Sequence, residues 1–501
     1  MWYAETMNTK RLFVVVSVLV IAAGLLGAGD GSLAIIHMND THSFLLAGRD
    51  EHTGREFGGA ARWKTIIDEL RGDRKDVLVL HAGDFLTGSG GDYLSFERID
   101  YDRFPLYGWR GATDVLLLNM LGFDAVTPGN HEFDYGLSWL LSILKPAKFS
   151  VLAANLSLNP IPPTKEFKKL SPVKEYEIFT RGGVKVAVIG LVTNDYLKSL
   201  QVKVRNAEEV LRTLVPDVRR KADIVVVLSH LGYERDIEVA RAVDGIDLIV
   251  GGHSHHRLAD YTVENGTYIT QTGAWGSYVG VIDLHVKNKA IDSIDYRLIP
   301  TPNAAEDEEV LSFIEKYKAT DLVLDRDLST EDGSLYQWVL DTVQKRYKTH
   351  GAIVIDRLIK EGELKKGVVP SSDFFSIFWP YRARTAGAER DMLATQIIDV
   401  LSGDLPRSVR SLLSSGDWVS PFVVVTVTQD EIEAIKAFNE RNVIAGDHLH
   451  MSFDERLPKK PKIALDLQTY RLLLLQGVLS PKTGYTLERG ELFEVLLDSM
   501  K

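Results

Sequence analysis

Five times in its first half the chain runs through a short apolar segment and breaks off in a cluster of histidine, aspartate or asparagine. Leu33 to Met38 ends in Asn39-Asp40-Thr41-His42, and Val77 to Leu80 ends in His81-Ala82-Gly83-Asp84. Phe123 to Val126 is stopped by Pro128-Gly129 and followed by Asn130-His131-Glu132-Phe133-Asp134-Tyr135-Gly136. Ile224 to Leu228 ends in Ser229-His230, and Asp247 to Val250 ends in Gly251-Gly252-His253-Ser254-His255-His256. Apolar runs of this length bounded by turn residues read as buried strands. Helical patterns separate most of them, among them Gly59 to Leu70 and Ala112 to Leu121. Strands alternating with helices predict an α/β layered sheet. Ligands of open α/β sheets bind beyond the carboxyl ends of the strands, so the polar clusters are expected to face one site. Phe149 to Asn155 and Val184 to Val192 are further strands, and Tyr268 to Thr270 and Val279 to Val286 read as antiparallel additions.

The chain has 501 residues, enough for two or three domains. A formal net charge of -11 excludes a nucleic-acid polymer as the expected partner, because that binding rests on basic patches. With no cysteine, disulfides, thiolate metal sites and cysteine nucleophiles are excluded. Lys10-Arg11 precede an apolar run from Leu12 to Leu26, followed by Gly27, Ala28 and Gly29. That is the layout of a secretory signal peptide. Residues 1–29 are therefore expected to be a signal peptide or, uncleaved, an N-terminal membrane anchor, and the protein to be secreted, periplasmic or extracellular.

The strand-end residues carry the chemistry. Asp40, His42, Asp84, Asn130, His230, His253 and His255 mix imidazole with oxygen donors, which suits manganese, zinc, iron or nickel. A closed single-metal site takes about four protein ligands, so seven fit two divalent metal ions. Asp84 stands alone at its strand end and is the natural bridge. Two metals roughly 3.5–4 Å apart activate a water and clamp both oxygens of an in-line displacement. Asn130 is expected to bind through its amide oxygen and His131 to point at a phosphoryl group. Asp134, one turn on, holds the His131 ring in one tautomer. Of the other histidines, His37 and His81 are expected behind the site or in the core, and His256 toward solvent. Glu132 is read as a cap on local backbone.

In order and spacing these boxes resemble the calcineurin-like metallophosphoesterases. In fuller form, His37 to His42, Gly129 to Asp134 and Gly251 to His255 resemble the secreted 5'-nucleotidase family. The resemblance implies a four-layer α/β metallophosphoesterase sandwich over residues 30–300 and a second, smaller α+β domain over 331–501 that binds substrate. Residues 301–330 then form a helical linker. It also implies that Asp40, His42, Asp84 and His255 hold one metal and Asp84, Asn130, His230 and His253 the other, with His131 and Asp134 acting on the transition state.

The second half departs from the family. Where the family carries an Asn-x-Gly-Gly-x-Arg stretch, this chain has Ile355 to Lys360. Where it carries Pro-Phe-x-Asn, the chain has Pro380-Tyr381-Arg382-Ala383. Tyr381 and Arg382 are the candidate substrate contacts. The aromatics from Phe374 to Tyr381 read as core or interface. The expected function is a secreted dinuclear-metal phosphoesterase acting on nucleotides or related small phosphate esters. The same metal core also serves 2',3'-cyclic nucleotide phosphodiesterases and sugar-nucleotide pyrophosphatases, and a non-catalytic surface binding protein is the reading from another class.

Overall fold

Side chains alternate across a strand, and here that alternation feeds two cores at once. In β1 (Gly31–Met38) Leu33 and Ile35 enter one core, while Ala34, Ile36 and Met38 enter another. Helix α1 (Gly59–Arg71) follows, then β2 (Val77–His81), whose Leu78 and Leu80 share the core of Ile35 while Val77 and Val79 face the other way. Helix α2 (Ala112–Leu121) leads to β3 (Ala125–Val126), β4 (Ser150–Leu152) and β5 (Val173–Lys174). A second series has β6 (Tyr176–Arg181), β7 (Val184–Val192), α3 (Ala207–Arg219), β8 (Ile224–His230), α4 (Tyr233–Ala242) and β9 (Leu248–Gly251). It ends with β10 (Thr262–Glu264) and β11 (Thr267–Thr270), after which β12 (Tyr278–Lys287) and β13 (Ala290–Pro300) return to the first sheet.

This computed structural model describes residues 30–49, 56–86, 111–133, 137–158, 173–195, 202–317, 322–355, 359, 361–369, 421–440, 448–475, 477–480 and 485–491. The leader expected over 1–29, Asp134, Tyr381, Arg382 and the aromatic run from Phe374 lie outside those residues.

Among the described residues one sheet runs β13-β12-β1-β2-β3-β4-β5 and the other β10-β11-β9-β8-β7-β6. Leu33, Ile35, Leu78 and Leu80 from the first meet Val186, Val188, Val226, Leu228 and Val250 from the second in a shared core. The outer face of the first sheet packs on α1 and α2 through Ala34, Ile36, Val79, Trp63, Ile67 and Leu118. The outer face of the second packs on α3 and α4 through Ala187, Ile189, Val225, Leu211 and Val239. The order is helix, sheet, sheet, helix: the four-layer α/β architecture expected from the sequence. Most neighbours are parallel, including β1 with β2, β2 with β3, and β8 with both β7 and β9, so the ends of β1, β2, β3, β8 and β9 converge.

The antiparallel expectation holds for Val279 to Val286 and on one side only for Tyr268 to Thr270. Tyr268 to Thr270 lies in β11, which pairs parallel with β9 and antiparallel only with β10. Asn265 and Gly266, both at positive φ, make a two-residue hairpin between β10 and β11. That reversal leaves β11 running with β9.

A second core, built from other residues, serves the C-terminal half. Among the described residues its sheet runs Leu449–Phe453, Gly351–Ile355, Lys462–Asp466, Pro421–Thr426 and Tyr485–Glu491. Helices Ser334–Tyr347, Gln429–Glu440 and Leu467–Leu475 cover it through Val339, Ile435 and Tyr470. The stretch read as a linker, 301–330, is divided between the two cores. Helix α5 (Glu308–Tyr317) sets Val310 and Ile314 into the first, and Leu324 and Leu328 belong to the second. Its apolar periodicity marked a helix, but not which core that helix would serve.

Candidate metal centre

Where β1 ends, the backbone turns into the left-handed region and stays irregular through the site. Asp40, His42, Asp84, His253 and His255 have φ between 48° and 74°. A left-handed conformation costs a non-glycine residue about 1–2 kcal/mol. Five of the seven candidate ligands bear that cost, and strain of this kind persists only where the surroundings over-determine it.

Asn39 supplies part of that constraint. Its amide nitrogen donates to Asp40 Oδ2 at 2.7 Å and to the Gly273 carbonyl at 2.6 Å, while its oxygen accepts from Thr272 N and Oγ1. The backbone N–H of His253 donates to Asp40 Oδ2 at 2.9 Å, tying the end of β9 to the end of β1. Gln271 Nε2 donates to the Gly252 carbonyl, and its Oε1 accepts from His256 N. Glycines give the backbone room to approach: a Cβ on Gly129 would lie 2.2 Å from Asp84 Oδ1 and 2.4 Å from His230 Nε2.

Among the described residues the side chains form three overlapping groups, each with its ligand atoms within 4.8 Å of one another: Asp40, His42 and His255; His42, Asp84 and His131; and Asp84, His230 and His253. Asp84 belongs to two of them. Its Oδ2 lies 3.1 Å from His230 Nε2 and 3.9 Å from His42 Nε2. His255 Nε2 lies 3.4 Å from Asp40 Oδ1 and 3.0 Å from His42 Nε2. Asn130 is buried beside Gly129. His131 opens a short 3-10 turn, His131–Phe133, and its backbone N–H donates to Asp84 Oδ1 at 2.9 Å. Asp134, the expected partner of the His131 ring, falls outside the described residues.

Divalent cations fit this donor set. His230 is buried, and its Nδ1–H donates to the Ala82 carbonyl at 2.6 Å, so the lone pair of a neutral ring at Nε2 faces the Asp84 carboxylate. Two such groups repel unless positive charge lies between them. Burial alone would depress the His230 pKa, but with no metal the carboxylates of Asp84 and Asp40 push it up to about 10. Among the described residues, Asn130 Oδ1 and His230 Nε2 are both buried without a hydrogen-bond partner. Burial opposes charge on Asp84, yet the imidazoles of His230 and His131 hold it well below the usual carboxylate range. Burial depresses His42 to about 4, which keeps its imidazole neutral and able to ligate.

Glu132 serves the backbone. Its carboxylate accepts from the N–H groups of Asp84 at 2.9 Å, Leu86 at 2.9 Å and Gly129 at 2.5 Å, locking the ends of β2 and β3 together. Removing it leaves three buried donors unpaired, each costing about 1–3 kcal/mol. Glu132→Ala is therefore expected to lose about 3 kcal/mol or more of stability in urea denaturation. Metal affinity should fall about 10- to 100-fold, as for other residues supporting a ligand. Unchanged stability and metal content would remove this role.

Behind β8, Asp236 in α4 hydrogen-bonds Ser229 Oγ, and burial pushes its pKa up to about 8. Its folded pKa exceeds the unfolded value, so the folded chain binds the extra proton between about pH 4 and pH 8. The stability present below pH 4 is then lost as pH rises toward 8. Asp236→Asn is expected to flatten that decline, measured as the urea midpoint of variant and wild type at pH 5 and pH 8. An identical decline in both proteins would assign it elsewhere.

The remaining histidines take ordinary places. His37 and His81 are fully buried, with His81 Nε2 against Thr41 Oγ1. His256 contacts Ser254 Oγ and is partly exposed, and His450 stacks on Tyr336. Sequence reasoning passed over Asn39, Gln271 and Asp236. Asn39 stands inside a box, whereas Gln271 and Asp236 carry no local signal.

Residues 33–257 match the family model described as calcineurin-like phosphoesterase. The chain is 31% identical over 311 residues to the protein UshA of Yersinia enterocolitica, covering 54% of this chain and 52% of that one. It is 30% identical over 298 residues to the trifunctional nucleotide phosphoesterase YfkN of Bacillus subtilis, covering 52% of this chain and 19% of that one. The chain thus spans about half the length of the first relative and a fifth of the second. The solved 5'-nucleotidase precursor of Thermus thermophilus aligns over 94% of this chain and 96% of that one, with a TM-score of 0.53 at 20% identity, a likeness of fold. The likeness to calcineurin-like phosphoesterases therefore falls on residues 33–257, the stretch that carries the whole cluster.

Proposed function

We propose that the protein is a dinuclear-metal phosphoesterase that hydrolyses nucleotides or related small phosphate esters. The observation that carries the reading is the pair of groups sharing Asp84, a carboxylate with imidazoles on two sides. Asp40, His42, Asp84 and His255 would hold one divalent ion, and Asp84, Asn130, His230 and His253 the other. When bound, such a pair lowers the pKa of a water and neutralises charge on the phosphoryl oxygens.

The protein's own groups do the rest. Asp84 fixes the spacing of the two sites. The Ala82 carbonyl holds His230 in the tautomer that presents Nε2 to the centre. His131, next to Asn130 and only half buried, is assigned to the phosphoryl group, where it stabilises developing charge and delivers a proton to the leaving oxygen. Water oxygen joins phosphorus, the ester P–O bond breaks, and the alcohol leaves with a proton. The relatives named for nucleotide phosphoesters support a nucleotide as substrate. The signal-like segment before Gly29 supports export. The C-terminal half, with Tyr381 and Arg382, is assigned to the non-reacting part of the substrate.

The test is a phosphate-release screen on manganese-loaded protein with nucleoside monophosphates, 2',3'-cyclic nucleotides and sugar nucleotides, the last two scored by product analysis. Turnover of at least one class, removed by chelation, is the expected result. No turnover of any ester would leave a binding protein as the reading.

A further inference from the structure

The rim of the metal centre carries an aromatic wall that the phosphoryl chemistry does not use. Asp40, Asp84 and His230 are closed off from solvent, whereas 39% of the His255 side chain is exposed, so the centre opens on the His255 side. There Trp275 meets the His255 ring edge to face, with centroids 6.2 Å apart. Phe44 lies 5.8 Å from Trp275, and Phe57 lies 4.6 Å from Phe44. All three aromatic residues are half buried.

The backbone that presents Trp275 is strained and held. Trp275 has φ +61°, between Gly273 at +91° and Gly276 at +59°. Its N–H donates to the Asp40 carbonyl at 2.6 Å. The Gly276 carbonyl accepts from Trp63 Nε1 at 2.9 Å and from Thr301 Oγ1 at 2.7 Å. A Cβ on Gly276 would lie 2.1 Å from the Trp63 ring, so Gly276 allows helix α1 to clamp the loop. Three separate segments thus keep a bulky residue in an unfavourable conformation beside the open edge of the centre. A tryptophan needed only for packing requires no such arrangement, and strain maintained at the edge of a site points to function.

We propose that Trp275, backed by Phe44 and Phe57, is a specificity-determining subsite that stacks the planar aromatic part of a phosphate ester's leaving group. The inference rests on the phosphoesterase reading and deepens it. Its occupant follows from position. The wall begins at His255, so a group stacked on it belongs to the molecule whose phosphate occupies the centre. The wall offers ring surface with no charged side chain among these residues, which suits a π face over a free sugar. Every nucleobase has such a face, and stacking separates bases from one another only weakly. The subsite therefore selects for an aromatic group without selecting one base.

The test compares adenosine 5'-monophosphate with ribose 5-phosphate on manganese-loaded protein. Both release a primary alcohol, so the ratio of their kcat/KM values isolates the base. Trp275→Ala should lower that ratio by about three- to tenfold, the worth of one aromatic contact. Metal content should be unchanged, and Trp275→Phe should keep the ratio within about twofold. If the alanine variant does not fold, Trp275→Leu, which keeps apolar bulk without a π face, carries the same expectation. Equal losses on both esters, or loss of metal, would make Trp275 a structural residue and overturn the proposal. So would a wild-type enzyme that turns over both esters with equal kcat/KM. Wild-type activity on no phosphate ester would instead overturn the phosphoesterase reading, and this inference with it.

Discussion

Asp84→Asn is expected to abolish phosphate release and to lower bound metal at both sites together. Asp84 reaches His230 on one side and His42 on the other, and is the carboxylate that belongs to two of the three candidate groups. An amide at this position keeps the volume and one oxygen but loses the charge, and its nitrogen cannot ligate. It also faces His230 Nε2, which then lacks the carboxylate that compensates positive charge there. Metal assistance is worth several kcal/mol of transition-state stabilisation. A loss on the order of 10³-fold or more in kcat/KM follows. Elemental analysis supplies the independent readout. A variant that still binds two ions tightly would show that Asp84 is not the bridge, whatever its activity.

His131→Ala is expected to separate catalysis from metal binding. The geometry alone permits two roles, because His131 lies within ligand distance of both His42 and Asp84. Two observations favour the phosphoryl role. His131 is half buried where most candidate ligands are closed off, and the proposed ligands Asp40, His42, His255 and Asp84 would supply four donors without it. The variant should lose about 10²–10⁴ in kcat, the range of a positioned acid or base, with metal content near wild type. Its backbone N–H still holds Asp84 Oδ1, so the carboxylate should not move. Loss of an ion in this variant would transfer His131 to the ligand set.

The layered fold was legible because parallel strands buried on both faces read as continuous apolar runs. Val184–Val192 and Ala112–Leu121 fall where the pattern put them. Hidden was the division of those strands between two sheets, since Val77 to Leu80 and Ile224 to Leu228 look alike whichever sheet receives them. The short β3 was visible only as the lead into Pro128-Gly129. The clustering of Asp40, Asp84 and His255 followed from their shared position after strand ends. The groups that hold them did not. Gln271 reaches back to Gly252 and Asp236 to Ser229 through contacts that no residue pattern announces, and the left-handed backbone at His253 and Trp275 has no signature in residue type. Trp275 is one of 8 tryptophans, and nothing in its local sequence marks it as facing the site.

The central claim is that this cluster works as a two-metal hydrolytic centre, and the most direct test is metal stoichiometry against activity. Protein stripped by chelation is titrated with manganese while bound metal and phosphate release from a nucleoside monophosphate are followed together. The account predicts no release from the stripped protein and a plateau at two ions per chain. Release that survives exhaustive chelation, or that reaches its plateau at one ion per chain, would contradict it.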